Sequence, residues 1–285
     1  MSRVVYTSEP RLPLSRLLSP LSIARDLFRQ RELILAYAKR EFQSTHRATY
    51  LGLLWTVLSP LIMLALFTFV FGYVFNGRFT QRVDETPAEF ALALFVGLSL
   101  FQCLGQSLNS APSLVVGNSA YVKTLAFPLE ILSVSAVINV LFNLGIALGL
   151  CFIAFFAMYG FIHPSAAVLV VHIACMALIS LGISWLVSAL AVFVRDVTAV
   201  IPPFSIVLMF TSSVFFPLSA LGKNVRWILE LNPVALIIDQ GRQAFMHGQW
   251  PDFGALAIVF AISLAIAVLG YCFFMRAKPA FADVI

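Results

Sequence analysis

Gln102, Gln106 and Asn109 stand at i, i+4 and i+7, with Ser99 a turn ahead of them. At helical spacing these polar side chains share one face. Asn139 and Asn143 repeat the i, i+4 interval, and His172 stands alone in a further apolar run. Amides accept and donate hydrogen bonds without carrying a charge, so inside an apolar run they suit two tasks. They join neighbouring helices, worth ~0.6 kcal/mol each on average in membranes, or they offer a polar track to hydroxyl-rich cargo. For the asparagine pair and His172 the first task is the expectation; for the glutamine stripe both stay open. Aromatic rings would complete the second task, because the flat C–H faces of sugars stack on them. The 27 Phe residues concentrate at Phe67, Phe69, Phe71 and Phe75 and again at Phe204, Phe210, Phe215 and Phe216. Most membrane Phe rings pack helices or face lipid. The candidates for a path are Trp55, Phe67, Phe71 and Phe210, together with Gln102 and Gln106. Trp55 equally suits an anchor at the membrane interface.

Missing residues exclude other chemistries. No GxxxxGK[ST] run occurs; Leu221-Gly222-Lys223-Asn224 lacks both the earlier Gly and the hydroxyl residue. Cys103, Cys151, Cys175 and Cys272 lie far apart in apolar runs, with no CxxC or Cys/His ligand spacing, and the four histidines do not cluster. The apolar runs carry no Asp, Glu, Lys or Arg, whereas proton- and sodium-driven carriers bury such groups near the midplane. A membrane enzyme would want convergent acids, bases or metal ligands. No catalytic, cofactor-binding or metal-binding residue is therefore assigned, no nucleic acid is expected as a partner, and energy must come from a separate subunit.

The elements that position these residues follow from hydropathy. The chain is 61% apolar and 11% charged, with a mean hydropathy of +0.96, too few charges to coat a soluble domain. Arg16 and three prolines interrupt the first 30 residues, leaving no apolar signal-peptide core, so the first span serves as its own insertion signal. Charge-free runs predict six helices, at about 51–75, 90–115, 129–158, 165–194, 198–221 and 254–275. The run from Ile131 to Val194 is too long for one helix and folds back at Tyr159-Gly160-Phe161-Ile162-His163-Pro164. Thirteen Lys and Arg fall on the side of the termini and five on the other, which places both termini in the cytoplasm. Residues 1–48 form a cytoplasmic segment, and 49–285 the transmembrane domain. Within the segment, an amphipathic helix over about 22–44 sets Ile23, Leu27, Ile34, Tyr37 and Ala38 on one face, as a helix lying in the inner membrane surface would. Before the last span, the apolar run Leu231 to Ile238 is too short to cross and reads as a short re-entrant or interfacial helix. The fold class is an all-α polytopic membrane protein.

Four segments together resemble the ABC-2 type membrane subunits that export polysaccharides: O-antigen, capsule and teichoic acid permeases. They are Leu51–Pro60 (LGLLWTVLSP), Tyr121–Val134 (YVKTLAFPLEILSV), Val192–Val197 (VFVRDV) and Glu230–Phe245 (ELNPVALIIDQGRQAF), in the family's order and sidedness. The O-antigen-like branch looks closer, although Thr45-His46 stands where family members often carry Arg-Tyr. The resemblance implies a homodimer in the bacterial inner membrane, with two cytoplasmic ATPase subunits that bind ATP and Mg, and a lipid-linked polysaccharide as cargo. It implies that Tyr121, Lys123, Arg195 and Asp196 meet the ATPase. Arg40 and Arg47, at the cytoplasmic mouth, would attract an anionic diphosphate carrier or serve topology. Pro60 should bend the first span. Rival readings are an ABC-2 exporter of a drug or lipid, a membrane-embedded glycan-processing enzyme, and a passive channel.

Overall fold

The computed structural model describes residues 17–47, 52, 54–70, 86–123, 127–218 and 222–285. Helices α1 (Pro20–Arg29) and α2 (Arg31–Arg47) precede α3 (Leu54–Phe67), which continues as a π turn over 68–70. Then come α4 (Pro87–Val116), the short α5 (Ser119–Val122), α6 (Glu130–Tyr159), a 3-10 turn (Pro164–Val168) and α7 (Leu169–Phe193). The chain ends with α8 (Val197–Phe210), α9 (Lys223–Glu230), α10 (Pro233–Met246), α11 (Phe253–Ala277) and α12 (Phe281–Val284).

Four stretches, Pro87–Val116, Glu130–Tyr159, Pro164–Phe193 and Phe253–Val284, are long and apolar enough to cross a membrane. The chain is thus an all-helical polytopic membrane protein. Local chemistry sets these ends. Thr86 and Glu89 form a reciprocal capping box, with Pro87 at the first helical position. Gly160 closes α6 at φ +73°, and Pro164 opens the return, so the expected fold-back stands where Gly and Pro placed it. Asp252 caps α11 by accepting from the Gly254 N–H at 2.8 Å.

Helix α4 is the central post. In its most apolar stretch 83% of residues are buried, against 28% in α6 and in Phe253–Val284, whose outer faces are left for lipid. Helix α7 packs between α4 and α11. At the α7–α11 crossing the Gly182 and Gly270 backbones touch, and a Cβ on either would collide with a carbonyl of the other helix. Leu17, Ile23, Val122, Leu129, Trp185, Tyr271 and Phe281 form one cluster, with Ile285 packed against it. Both ends of the described chain, α5 and the α7–α8 turn therefore share one end of the bundle.

Three expectations change. The first concerns the fifth span, expected over 198–221. Its helix ends at Phe210, and 14 residues rise only about 21 Å. Pro202 and Pro203 lie inside the helix; the stop comes at 211–216, where Ser213 has φ +56°. A helix can stop in apolar surroundings only if its last carbonyls find donors. Here Thr211 Oγ1 donates to the Val207 and Leu208 carbonyls at 3.1 Å and Ser212 Oγ to Leu208 O at 2.6 Å, while the turn beyond is held by Asn232 Nδ2, which donates to Thr211 O at 3.1 Å, and Arg242 Nη1, which donates to Ser213 O at 3.0 Å. The second concerns the amphipathic segment, which is two helices with Gln30 between them. Its expected face does not point at lipid. Ile23, Ile34 and Ala38 are buried within the protein, and α2 lies along α6, while Leu21, Phe28 and Leu35 face outward. The third is a matter of bounds only, since a short helix does stand before the last span as expected from the run Leu231–Ile238. The run breaks at Leu231-Asn232, the Asn232 side chain caps α10, and α10 is wedged against α4 and α7 with Ala235, Ile238 and Ala244 fully buried. The first span is described as α3 and its π turn; Pro60 lies inside the helix, and Phe71 falls outside the described residues.

Candidate functional site

Helices α3, α4 and α6 enclose a cavity of about 400 Å³. Helix α3 contributes Trp55, Thr56, Ser59, Pro60 and Met63; α4 contributes Ser99, Gln102 and Gln106; α6 contributes Asn143 and Leu144. Pro60, inside α3, is part of this wall. The cavity thus presents an indole, hydroxyls and three amides on otherwise apolar walls. A second hollow of about 220 Å³ lies on the other flank of the same stripe, between α4 and α8, and Gln102 and Gln106 line it too. Both glutamines are exposed to this space. An amphipathic cavity of this size suits a ligand with a few hydrogen-bonding groups on a largely apolar surface.

The structure therefore brings together Trp55, Gln102 and Gln106, three of the six path candidates, from helices some fifty residues apart in sequence. It separates two others. Phe67 packs against the main core, and Phe210, exposed at the end of α8, stacks on Phe215 at 5.0 Å. The remaining polar residues divide. Asn109 Nδ2 donates to Ser205 Oγ at 3.2 Å and so joins α4 to α8. Asn139 Nδ2 donates to Glu41 Oε2 at 3.2 Å, tying α6 to α2. His172 Nδ1 lies 3.0 Å from Val168 O, a bond within its own segment. Asn143 departs from its expected interhelical role and stands in the cavity wall.

At the opposite end from the 160–164 turn, Lys123 is exposed and Tyr121 is half-buried on and just after α5. Arg195 and Asp196 are exposed on the turn between α7 and α8, where the Asp196 side chain makes no capping bond. Arg40 Nη1 donates to Tyr121 Oη at 2.6 Å, so a residue assigned to the mouth touches one assigned to coupling. Arg47 closes α2, and its side chain lies outside the described residues. Nearby, Glu130 is buried at the start of α6, 2.8 Å from Lys278 Nζ, while Trp185 Nε1 donates to the Glu130 carbonyl at 3.0 Å.

One polar centre was missed from the sequence. Asp239 and Arg242 are buried, 2.8 Å apart, on α10. Asp239 Oδ1 also accepts from the Leu218 N–H at 3.2 Å, and Oδ2 from Gln243 Nε2 at 2.6 Å. Counting charges placed Arg242 in an external loop; the usable signal was an i, i+3 acid–base pair among Leu236, Ile237, Ile238, Ala244 and Phe245.

Comparison with known proteins agrees with this architecture. Residues 32–246 match the family model described as ABC-2 type transporter. A Myxococcus xanthus protein named O-antigen export system permease protein RfbA is 24% identical over 266 residues, covering 92% of this chain and 99% of the relative. A Klebsiella pneumoniae protein of the same name is 23% identical over 265 residues, 89% of this chain and 95% of the relative. A second Klebsiella pneumoniae protein of that name is 21% identical over 263 residues, again 89% and 95%. The matched model takes in most of the chain, from α2 through α10, and the chain belongs to the ABC-2 type transporter family.

Proposed function

We propose that this chain is the permease subunit of an ATP-driven exporter that carries a lipid-linked polysaccharide, such as O-antigen or a capsular glycan, across the bacterial inner membrane. Helices α3 and α8, added to the four long ones, make six passes, with the α1, α2 and α5 end in the cytoplasm as the basic residues favour. Two copies assemble into the conduit. Two copies of a cytoplasmic subunit bind ATP and Mg and hydrolyse the nucleotide; this chain supplies no catalytic group. The ATPase bears on Tyr121, Lys123, Arg195 and Asp196. Arg40 and Arg47 sit at the mouth, where cationic side chains favour the anionic diphosphate of a polyprenyl carrier.

The observation that carries this reading is the cavity in which Trp55 meets Gln102, Gln106 and Asn143. A sugar has apolar C–H faces and a rim of hydroxyls, so a ring with amides around it grips a glycan without charge. Contacts of that kind are non-specific along a polymer, which lets it slide. The relatives named as O-antigen export permeases support the same cargo class. Deleting the gene tests it: a lipid-linked glycan should accumulate on the cytoplasmic face and vanish from the surface. Unchanged surface glycan together with an accumulating drug or free lipid would replace glycan with another cargo.

A further inference from the structure

The amides of the bundle fall into two groups. Asn109 is bonded to Gly105 O and Ser205 Oγ, Asn118 to Leu114 O, and Asn139 to Glu41. Gln102 and Gln106 bond no protein group among the described residues, and Asn143 Oδ1 is buried without a partner. Amides in apolar surroundings are costly to leave unbonded, so three of them around one cavity mark a place for a hydrogen-bonding guest. The hydroxyls of Ser59 and Ser99 stand beside them. Among the described residues no Lys, Arg, His, Asp or Glu lines this cavity, nor the smaller hollow that the two glutamines share with α8.

Walls of this kind treat neutral and charged sugars differently. A sugar hydroxyl donates and accepts, as an amide does, so the two satisfy each other without leaving a charge uncompensated. A carboxylate would shed its water against the indole and the aliphatic walls. Amide N–H groups return part of that loss, and the rest needs a cation opposite the anion. Cations stand elsewhere: Lys39 and Arg40 are exposed on α2, at the cytoplasmic end. The anionic diphosphate of a carrier is thus met at the mouth, and the chain behind it passes uncharged walls.

We infer that the cavity selects an electrically neutral glycan: Gln102, Gln106 and Asn143 are specificity-determining residues that accept hydroxyl-rich neutral sugars and reject chains bearing carboxylates along their length. This rests on the reading of the cavity as a glycan path, and it narrows the cargo within that reading. The test changes charge alone. The full chain is reconstituted in phosphatidylcholine nanodiscs, at about 1 M salt, where surface attraction is screened beyond ~3 Å. Two probes are titrated in: an oligogalacturonate, and the same oligomer after its carboxyl groups are reduced to neutral CH2OH. Trp55 fluorescence reports binding. Trp227 and Trp250, exposed and outside the cavity wall, are replaced by Phe, while the buried Trp185 stays as a constant background. The neutral oligomer should shift the Trp55 emission and saturate. The acidic one should bind at least about tenfold more weakly, as an unpaired buried charge requires. Asn143→Leu should weaken the neutral oligomer about two- to tenfold, the worth of one hydrogen bond, with the melting temperature held. Gln106→Lys supplies the missing cation and should recover the acidic oligomer about tenfold. Equal binding of the two oligomers by the wild type, or tighter binding of the acidic one, overturns neutral selection alone, whether or not Gln106→Lys folds. An acidic oligomer still excluded by folded Gln106→Lys overturns the electrostatic cause, and unchanged neutral binding in Asn143→Leu removes Asn143 from the set. No response to the neutral oligomer overturns the glycan reading of the cavity and this inference with it.

Discussion

Replacing Asp239 by Asn removes one charge and leaves the shape. Arg242 is 2% exposed and pairs with Asp239 at 2.8 Å. The Asn oxygen can still accept a bond, but the buried guanidinium loses the charge of this partner. Breaking such a pair costs about 3–5 kcal/mol, or about two to three and a half orders of magnitude in an equilibrium. The cost falls on the Thr211–Leu218 turn, because Arg242 bonds the Ser213 and Val214 carbonyls and Asp239 bonds the Leu218 N–H. Val214 is fully buried, and the four native cysteines are buried as well, so a cysteine at position 214 reports opening of the turn against a quiet background. Its maleimide labelling rate in detergent should rise about a hundredfold or more in Asp239→Asn. Asp239→Leu with Arg242→Met removes both charges and should return the rate to within about tenfold of wild type. A rate in Asp239→Asn within about twofold of wild type, the size of a neutral surface change, would refute the argument. So would an apolar pair that labels as fast as the single variant.

Three further outcomes follow. Gly182→Ala drives a methyl into the Ile266 carbonyl and should cost about 1–3 kcal/mol, lowering the melting temperature in detergent, whereas Gly145→Ala meets open space and should not; equal effects would contradict the close crossing. Burial holds the Glu41 carboxyl above its ordinary range, opposed by the bond from Asn139, so its contribution to stability is full below about pH 4.3 and is lost as pH rises through the folded value. Glu41→Gln should therefore gain stability relative to wild type between pH 4 and pH 8, and a difference that shrinks with pH would reverse the sign assigned here. Trp55→Ala should lower surface yield of long glycan chains about two- to tenfold, since aromatic stacking is worth roughly 0.5–1.5 kcal/mol, with ATPase assembly intact; unchanged chain length and yield would remove Trp55 from the path.

The long helices were legible because their signals are local. Thr86, Pro87 and Glu89 announce the start of α4, and Gly160 with Pro164 announces the α6–α7 return within a few residues. The end of α8 was not legible, since the side chains that hold the turn beyond it, Asn232 and Arg242, lie a helix and a turn further along. An apolar face says that something covers it, not what. Ile23, Ile34 and Ala38 could have met lipid, and only the packing shows them covered by the chain itself. The candidate site divides in the same way. Gln102 and Gln106 declare a polar face by their spacing, and Trp55 declares an amphipathic ring near a boundary. That the two share a cavity with Asn143 depends on how α3, α4 and α6 cross, which no residue spacing encodes. The Asp239–Arg242 pair was visible as letters but hidden by the assumption that a loop's charges are solvated.

The proposed dependence of this chain on a separate nucleotide-hydrolysing subunit has a direct test. Vesicles holding the purified chain alone, and vesicles holding it with its ATPase, should be loaded with lipid-linked glycan and assayed for ATP-dependent movement to the other face. Movement only with the ATPase and hydrolysable ATP is the predicted result; uphill movement by the chain alone would contradict it.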